Sequence, residues 1–168
     1  VAKVDGRELV TGTARFAADL RFPGMLYASA RRAGVPAGRL AEVDPAPALA
    51  LPGVAAVLLA RDIPGPNLIG ILPPFDQPLL ASVEVRYEGE SLALAVADSR
   101  EAARRAAAAV RARIEPWQPV LTVEEALAPG ARKIHPDGNL TYSKTLVKGD
   151  VQKGFAEAEV VVENTYQT

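Results

Sequence analysis

Cysteine is absent from all 168 residues. That absence removes disulfides, thiolate nucleophiles, cysteine-ligated zinc and cysteine-bound iron–sulfur clusters together, so any redox chemistry has to be borrowed from another chain or cofactor. Histidine occurs once, methionine once, aromatic residues make up 5%, and the formal net charge is -1. A chain so nearly neutral has no basic footprint to attract a phosphate backbone, and nucleic acid is not an expected partner. No apolar run approaches the roughly 20 residues of a membrane helix. The longest, such as Val54 to Ala60, are strand-sized, and no membrane partner is expected. Because the chain starts at Val1 and Met25 is its only methionine, the natural N-terminus is expected to be missing. The location is read as cytoplasmic.

What is present suits one domain over residues 1–168, long enough to bury a hydrophobic core. Residues 1–24 read as an extended lead-in, with Gly6, Gly12, Asp5 and Asp19 and few apolar periods. Strands are expected at Met25 to Arg31, Arg39 to Val43, Ser91 to Ala97 and Arg113 to Pro116. Val54 to Leu59 is apolar throughout, as in a strand buried on both faces. Asp44 suits a helix N-cap with Pro45 at the first helical position, and Pro52-Gly53 stops the short helix behind it. The segment Asn67 to Pro78, with Pro73-Pro74, is irregular.

The clearest helix is Arg100 to Arg111, capped by Asp98 or Ser99. At about 100° per residue, Ala102, Ala103, Ala106, Ala107, Ala109 and Val110 form one arc, while Arg100, Glu101, Arg104, Arg105 and Arg111 form the other. A face made almost wholly of methyl groups implies close approach to a sheet. Thr122-Val123-Glu124-Glu125 has capping-box spacing, and a helical turn is expected over Val151 to Glu157. Tyr142 to Lys148 and Glu159 to Tyr166 read as strands. Strands interleaved with helices give an α+β, mixed α/β domain with helices packed on a mixed sheet.

Residues that could carry chemistry are few. His135, in Ile134-His135-Pro136-Asp137-Gly138, has loop composition and no second metal-ligating neighbour. Ser29, Ser82, Ser91, Ser99 and Ser143 lack the Gly-x-Ser-x-Gly turn of an exposed nucleophile, which disfavours an autonomous hydrolase using His135. Gly65 to Gly70 has the outer glycine spacing of a phosphate loop but no following Lys-Ser/Thr, and Pro66 removes a backbone donor. Glu124 and Glu125 point about 100° apart on a helix, and one of them fits the capping box. Asn139-Leu140-Thr141 matches a glycosylation sequon that arises readily by chance. Trp117 is read as a packing residue. The excess of arginine over lysine, 14 to 5, favours bidentate interdomain contacts, and a solvated surface explains most of it equally well. No catalytic, cofactor-binding or metal-binding residue is assigned.

Read in order, the motifs resemble the α/β hammerhead domain that opens the molybdenum-binding subunit of the xanthine dehydrogenase, aldehyde oxidase and carbon monoxide dehydrogenase family. The series begins with Thr11-Gly12-Thr13-Ala14-Arg15-Phe16 and Asp19-Leu20-Arg21-Phe22-Pro23-Gly24-Met25-Leu26. It continues through Val43-Asp44, Leu51-Pro52-Gly53-Val54, Asp62-Ile63-Pro64-Gly65, Gln77-Pro78-Leu79-Leu80-Ala81 and Val85-Arg86-Tyr87-Glu88-Gly89-Glu90. Glu124-Glu125-Ala126-Leu127 and Gly149-Asp150-Val151 to Phe155-Ala156-Glu157-Ala158 complete it. The order carries the resemblance, since no one motif is specific. The loop Ala33 to Leu40 departs from the family's usual Ser-Pro-x-Pro-His-Ala-Arg-Ile, Phe16 stands for a usual Tyr, and Ala18 for a usual Asp.

The resemblance implies a fragment of an oxidoreductase that hydroxylates an aldehyde or N-heterocycle with water at a molybdenum-pterin centre. In the family, the pterin-binding and catalytic residues lie in later domains of the same subunit, and FAD and 2Fe-2S clusters lie in partner domains or subunits. Thr168 falls just before the Gln-x-His region that leads to the molybdenum centre. The fragment itself is then expected to be inactive scaffold. The competing reading is a freestanding α/β binding or structural module with no hydroxylase context.

Overall fold

The computed structural model describes residues 3–70 and 75–166. Pro73-Pro74, part of the expected irregular segment, lies outside them. The chain divides into two compact units, Val1–Pro119 and Val120–Thr168.

Among the described residues, the first unit contains six strands and three helices. Strands β1 (Tyr27–Arg32), β5 (Ser91–Ala97) and β3 (Val54–Leu58) form one sheet in the order β1-β5-β3. Strands β4 (Glu84–Val85), β2 (Gly38–Asp44) and β6 (Arg111–Pro116) form a second, in the order β4-β2-β6. Every ladder among the described residues is antiparallel, so the α+β class stands as two small antiparallel sheets in place of one mixed sheet.

Strand β5 organises the unit because its two faces serve different cores. Ala93 and Ala95 join Ala48, Val57, Leu59, Ala106, Ala107 and Val110 in one cluster, while Leu92 joins Ala33, Leu40, Ala81 and Val85 in another. Ala97 packs with Ala102 and Ala103. Alanines of β5 therefore meet alanines of helix α3 (Arg100–Ala109), and small side chains on both surfaces permit the close approach expected from the methyl arc. Of the two candidate caps it is Ser99 that works, its Oγ accepting from Ala102 N–H at 3.3 Å. The helix ends at Ala109, two residues early, and Arg111 already pairs with Asp44 in the second sheet.

The expected edge of helix α2 (Ala46–Leu49) shifts slightly. Pro45 is the N-cap, and Asp44 Oδ1 still accepts from Ala46 N–H at 2.9 Å. Strand β3 corrects the expectation of burial on both faces: it is a sheet edge, with Ala55 and Leu58 exposed. Burial along β1 also departs from simple alternation: Tyr27 is half-buried against the Ala97 cluster and Ala28 is exposed, but Ser29, Ala30 and Arg31 are then all half-buried.

Two glycines are fixed by space. At Gly53, φ is +80° and a Cβ would stand 2.7 Å from the Asp98 carboxylate, where L-residues are strained in any case. At Gly38 a Cβ would meet Ile114 Cγ2 at 2.6 Å and the Glu115 carbonyl oxygen at 2.7 Å. Gly38 is where β2 lies between β4 and β6.

The expected extended lead-in is also corrected. Helix α1 (Gly6–Thr11) ends at Gly12 in the left-handed conformation, whose N–H reaches the Leu9 carbonyl at 3.3 Å. A single 3₁₀ turn at Ala17–Asp19 follows, with Asp19 Oδ2 accepting from Phe16 N–H at 3.0 Å. Local polar groups supply these bonds without any apolar period, which is why the pattern gave no sign of them.

The second unit contains helices α4 (Val123–Leu127) and α5 (Val151–Glu157). The capping box forms as spaced: Thr122 Oγ1 accepts from Glu125 N–H at 3.1 Å, and Glu125 Oε2 accepts from Thr122 N–H at 3.3 Å. Asp150 Oδ1 caps α5 by accepting from Lys153 N–H at 2.9 Å. The expected strands at 142–148 and 159–166 do not form, and no described residue pairs with either. Strand pattern supplies a candidate, but only a neighbouring backbone completes a ladder.

Candidate functional site

Among the described residues, Glu90 is the one buried charged side chain, 2% exposed. It stands two positions before Leu92, so it continues inward the face of β5 that feeds the Leu92 cluster. The chain just before it turns back on itself, with Glu90 N–H donating to the Tyr87 carbonyl at 3.1 Å. Across that turn Glu90 Oε2 accepts from Arg86 N–H at 2.6 Å. The Arg86 side chain donates through Nε to Glu84 Oε1 at 2.8 Å and through Nη1 to the Asp76 carbonyl at 2.9 Å.

Burial pushes the Glu90 carboxyl above its ordinary pKa. The Arg86 N–H, the Arg86 guanidinium and the backbone at Tyr87 pull it back, and the Glu84 charge adds to the rise. Desolvation prevails because it acts on the whole carboxylate while the positive neighbours are few.

These groups form one wall of an open groove of about 500 Å³, whose lining also includes Asn67, Asp76 and Ser82. Asn67 holds the opposite chain as a backbone partner would: its Nδ2 donates to the Leu80 carbonyl at 2.7 Å, and its Oδ1 accepts from Leu80 N–H at 3.0 Å. A buried carboxyl with a raised pKa is a familiar general acid. Here its partner is a main-chain N–H, and its work is to hold a turn. Two carbonyls of that turn, Glu88 and Glu90, receive Gly34 N–H and Ala33 N–H at 2.9 Å each. Glu90 thus secures the platform on which the loop after β1 is seated. In the sequence Glu90 stands out only as part of a landmark motif; its place on the inward face of β5 was the available signal.

The other residues weighed for chemistry are dispersed. His135 is half-buried in the second unit, where its carbonyl accepts from Gly138 N–H at 2.9 Å. Ser99 caps α3, and Ser91 Oγ accepts from Arg32 Nη1 at 2.6 Å. The Gly65–Gly70 loop serves through Asn67 as a clamp. Trp117 N–H donates to the Ala37 carbonyl at 3.0 Å. Asn139 is engaged on three sides: its Oδ1 accepts from Ile134 N–H at 2.8 Å, and its Nδ2 donates to the Ala126 and Arg132 carbonyls at 3.0 Å each. A glycan on that nitrogen would displace at least one of these bonds.

The chain has no cysteine and one histidine, and among the described residues no three His, Asp or Glu side chains converge to hold a metal. The one loop with phosphate-loop spacing spends its polar side chain, Asn67, on Leu80. Among the described residues, no helix is long and apolar enough to cross a membrane.

A family model described as "Aldehyde oxidase and xanthine dehydrogenase, a/b hammerhead domain" matches residues 11–117. The chain is 40% identical over 166 residues to the nicotinate dehydrogenase large molybdopterin subunit of Eubacterium barkeri, covering 99% of this chain and 39% of that one. It is 37% identical over 163 residues to a probable xanthine dehydrogenase subunit of Bacillus subtilis (strain 168), covering 97% and 22%. Among solved structures, the aldehyde oxidoreductase from Desulfovibrio gigas superposes with a TM-score of 0.85 at 32% identity, over 94% of this chain and 19% of that one. The chain therefore spans between about a fifth and two fifths of the length of these relatives.

Proposed function

The chain belongs to the a/b hammerhead domain family of aldehyde oxidases and xanthine dehydrogenases, and from that premise we propose that it is the N-terminal scaffold of a molybdenum hydroxylase large subunit. The parent enzyme, in this reading, oxidises a C–H bond of an aldehyde or N-heterocycle with water at a molybdenum-pterin centre. That centre is held by later domains of the same subunit, and flavin and 2Fe-2S clusters on partner domains or subunits carry the electrons away. A cytoplasmic location belongs to the same proposal. The observation that carries it is the coverage: nearly all of this chain matches, yet it accounts for only 19% of the aldehyde oxidoreductase chain on which it superposes.

No residue of this chain is proposed as catalytic, cofactor-binding or metal-binding. Its contribution is rigidity, through the alanine-lined contact of α3 with β5 and the Glu90 turn. The expectation of one domain over 1–168 is carried forward in a narrower form, with the matched span 11–117 as the hammerhead and the unit Val120–Thr168 as a segment attached to it. Purified 168-residue chain is expected to carry no stoichiometric molybdenum and no hydroxylase turnover, while the polypeptide encoded through and beyond Thr168 carries both. A stop codon directly after Thr168, or molybdopterin bound to the 168-residue chain, would refute the reading in favour of a freestanding module.

A further inference from the structure

The outward arc of α3 presents Arg100, Glu101, Arg104 and Arg105, all exposed. Glu101 and Arg105 face each other one turn apart at 4.0 Å. Arg100 and Arg104 are also one turn apart, about 40° around the helix, but both are cations. Among the described residues neither forms an ion pair.

A third cation joins them from the lead-in. The carbonyl of Ala18, in the 3₁₀ turn Ala17–Asp19, accepts from Arg100 Nη2 at 2.8 Å and from Arg21 Nη1 at 2.9 Å. Two guanidinium groups thus converge on one neutral oxygen, their donor atoms less than two hydrogen-bond lengths apart. Each is held from a second side as well. Arg21 Nη1 donates to the Leu20 carbonyl at 2.7 Å, and Arg100 lies over the Tyr27 ring, 5.6 Å from its centroid. The repulsion between them has no counter-charge: Arg21 forms no ion pair among the described residues, and Asp19, its near neighbour in the chain, spends Oδ2 on Phe16 N–H. Among the described residues, Nε and Nη2 of Arg21 and Nε and Nη1 of Arg100 have no acceptor.

We propose that Arg21 and Arg100 form an oxyanion site, with Arg104 at its margin, whose ligand is a phosphate, either free or as a monoester. The Ala18 carbonyl and the Tyr27 ring set the spacing of the two forks, and their remaining donors bind the anion. Guanidinium groups suit phosphate because several N–H donors reach its oxygens at once. A phosphate monoester carries a charge of about -1.5 to -2 at neutral pH, which matches two fixed cations better than a single carboxylate does. A nucleic-acid backbone is a poorer fit, since it needs a basic surface wider than this pair. The site goes beyond the scaffold role and does not depend on it.

Titration of inorganic phosphate into the 168-residue chain, at constant ionic strength with chloride as the balancing anion, tests the site through the arginine Nε–Hε NMR signals. Saturable shifts are expected at Arg21 and Arg100, smaller ones at Arg104 and none at Arg105. Arg21→Gln and Arg100→Gln are each expected to weaken binding by about tenfold, the loss of one charged hydrogen-bonding partner, with the β5 amide signals unmoved to show that the fold is intact. Arg105→Gln should leave the affinity unchanged. Tyr27 is a positioning residue: Tyr27→Phe keeps the ring and the affinity, while Tyr27→Leu lowers the affinity. Phenyl phosphate separates the two sources, binding as well as inorganic phosphate if the site accepts an ester and more weakly if it takes the free ion. Shifts that grow linearly and alike at every arginine would show screening only and overturn the proposal. So would unchanged affinity in both glutamine variants, or tighter binding of acetate than of phosphate.

Discussion

Helix α3 and helix α5 pose the same question and receive opposite answers. Both carry an apolar arc opposed to charged residues. The arc of α3 is nearly all methyl groups, yet Ala102, Ala103, Ala106 and Ala107 are buried. The arc of α5 holds the larger Val151 and Phe155, yet no residue of that helix is buried. Strands repeat the contrast: β5, Ser-Leu-Ala-Leu-Ala-Val-Ala, is the central strand of its sheet, while 159–166, richer in β-branched residues, pairs with nothing described. Hydrophobicity and propensity qualify a segment for burial, and a complementary neighbour decides it.

The contrast can be broken most directly by spoiling the complementary surface. Ala107→Leu forces extra methylenes between α3 and β5, and an equilibrium urea titration is expected to show a loss of about 1–3 kcal/mol from overpacking. Phe155→Ala in the same 168-residue chain removes a larger apolar side chain from an exposed site and is expected to leave the urea midpoint within about 0.5 kcal/mol of wild type. Equal losses from the two would mean that the two helices do not differ in kind.

Capping tests the second unit on its own terms. Thr122→Ala removes the acceptor for Glu125 N–H, a change that costs about 1 kcal/mol of helix stability. With no core beneath α4, the loss is expected as local fraying, read from carbon chemical shifts over 123–127, with the unfolding midpoint of the first unit unchanged. A matching shift of that midpoint would contradict the division.

Glu90 sharpens the contrast through pH. Its carboxyl is raised from an ordinary 4.5 by burial, with Arg86 and Glu84 as the charged neighbours. A raised folded pKa means that the folded state holds the proton more tightly, so its contribution is fully present below 4.5 and is lost as pH climbs through the raised value. Glu90→Gln keeps an acceptor for Arg86 N–H and does not titrate. The stability of wild type minus that of Glu90→Gln is therefore expected to fall between acid and neutral pH, and a flat difference would show that burial does not govern this group. The smallest effect is expected at Arg104→Ala on the outward arc of α3, within about 0.5 kcal/mol by thermal or urea melting.

Much of both units was legible where the signals are local. Ser99, one of two candidate caps, and Thr122 with Glu125 follow from residue type and spacing, and each makes its bond to a backbone N–H three residues on. The two arcs of α3 follow from 3.6-residue periodicity alone. The ordered landmarks pointed to the hammerhead family. Helix α1 was hidden because short polar turns leave no hydrophobic period. Glu90 was hidden because a glutamate reads as surface until the strand beside it is known to be central.

The sequence alone determined the capping box at Thr122, the turn at Gly53, the amphipathic arcs of α3 and the family, because each depends on residues close together in the chain or on their order along it. The tertiary structure decided that β3 is an edge and β5 a centre, that Glu90 lies in the interior, and that 142–148 and 159–166 remain unpaired. Those outcomes depend on which distant backbone comes alongside, and a strand's pattern specifies only one side of that pairing.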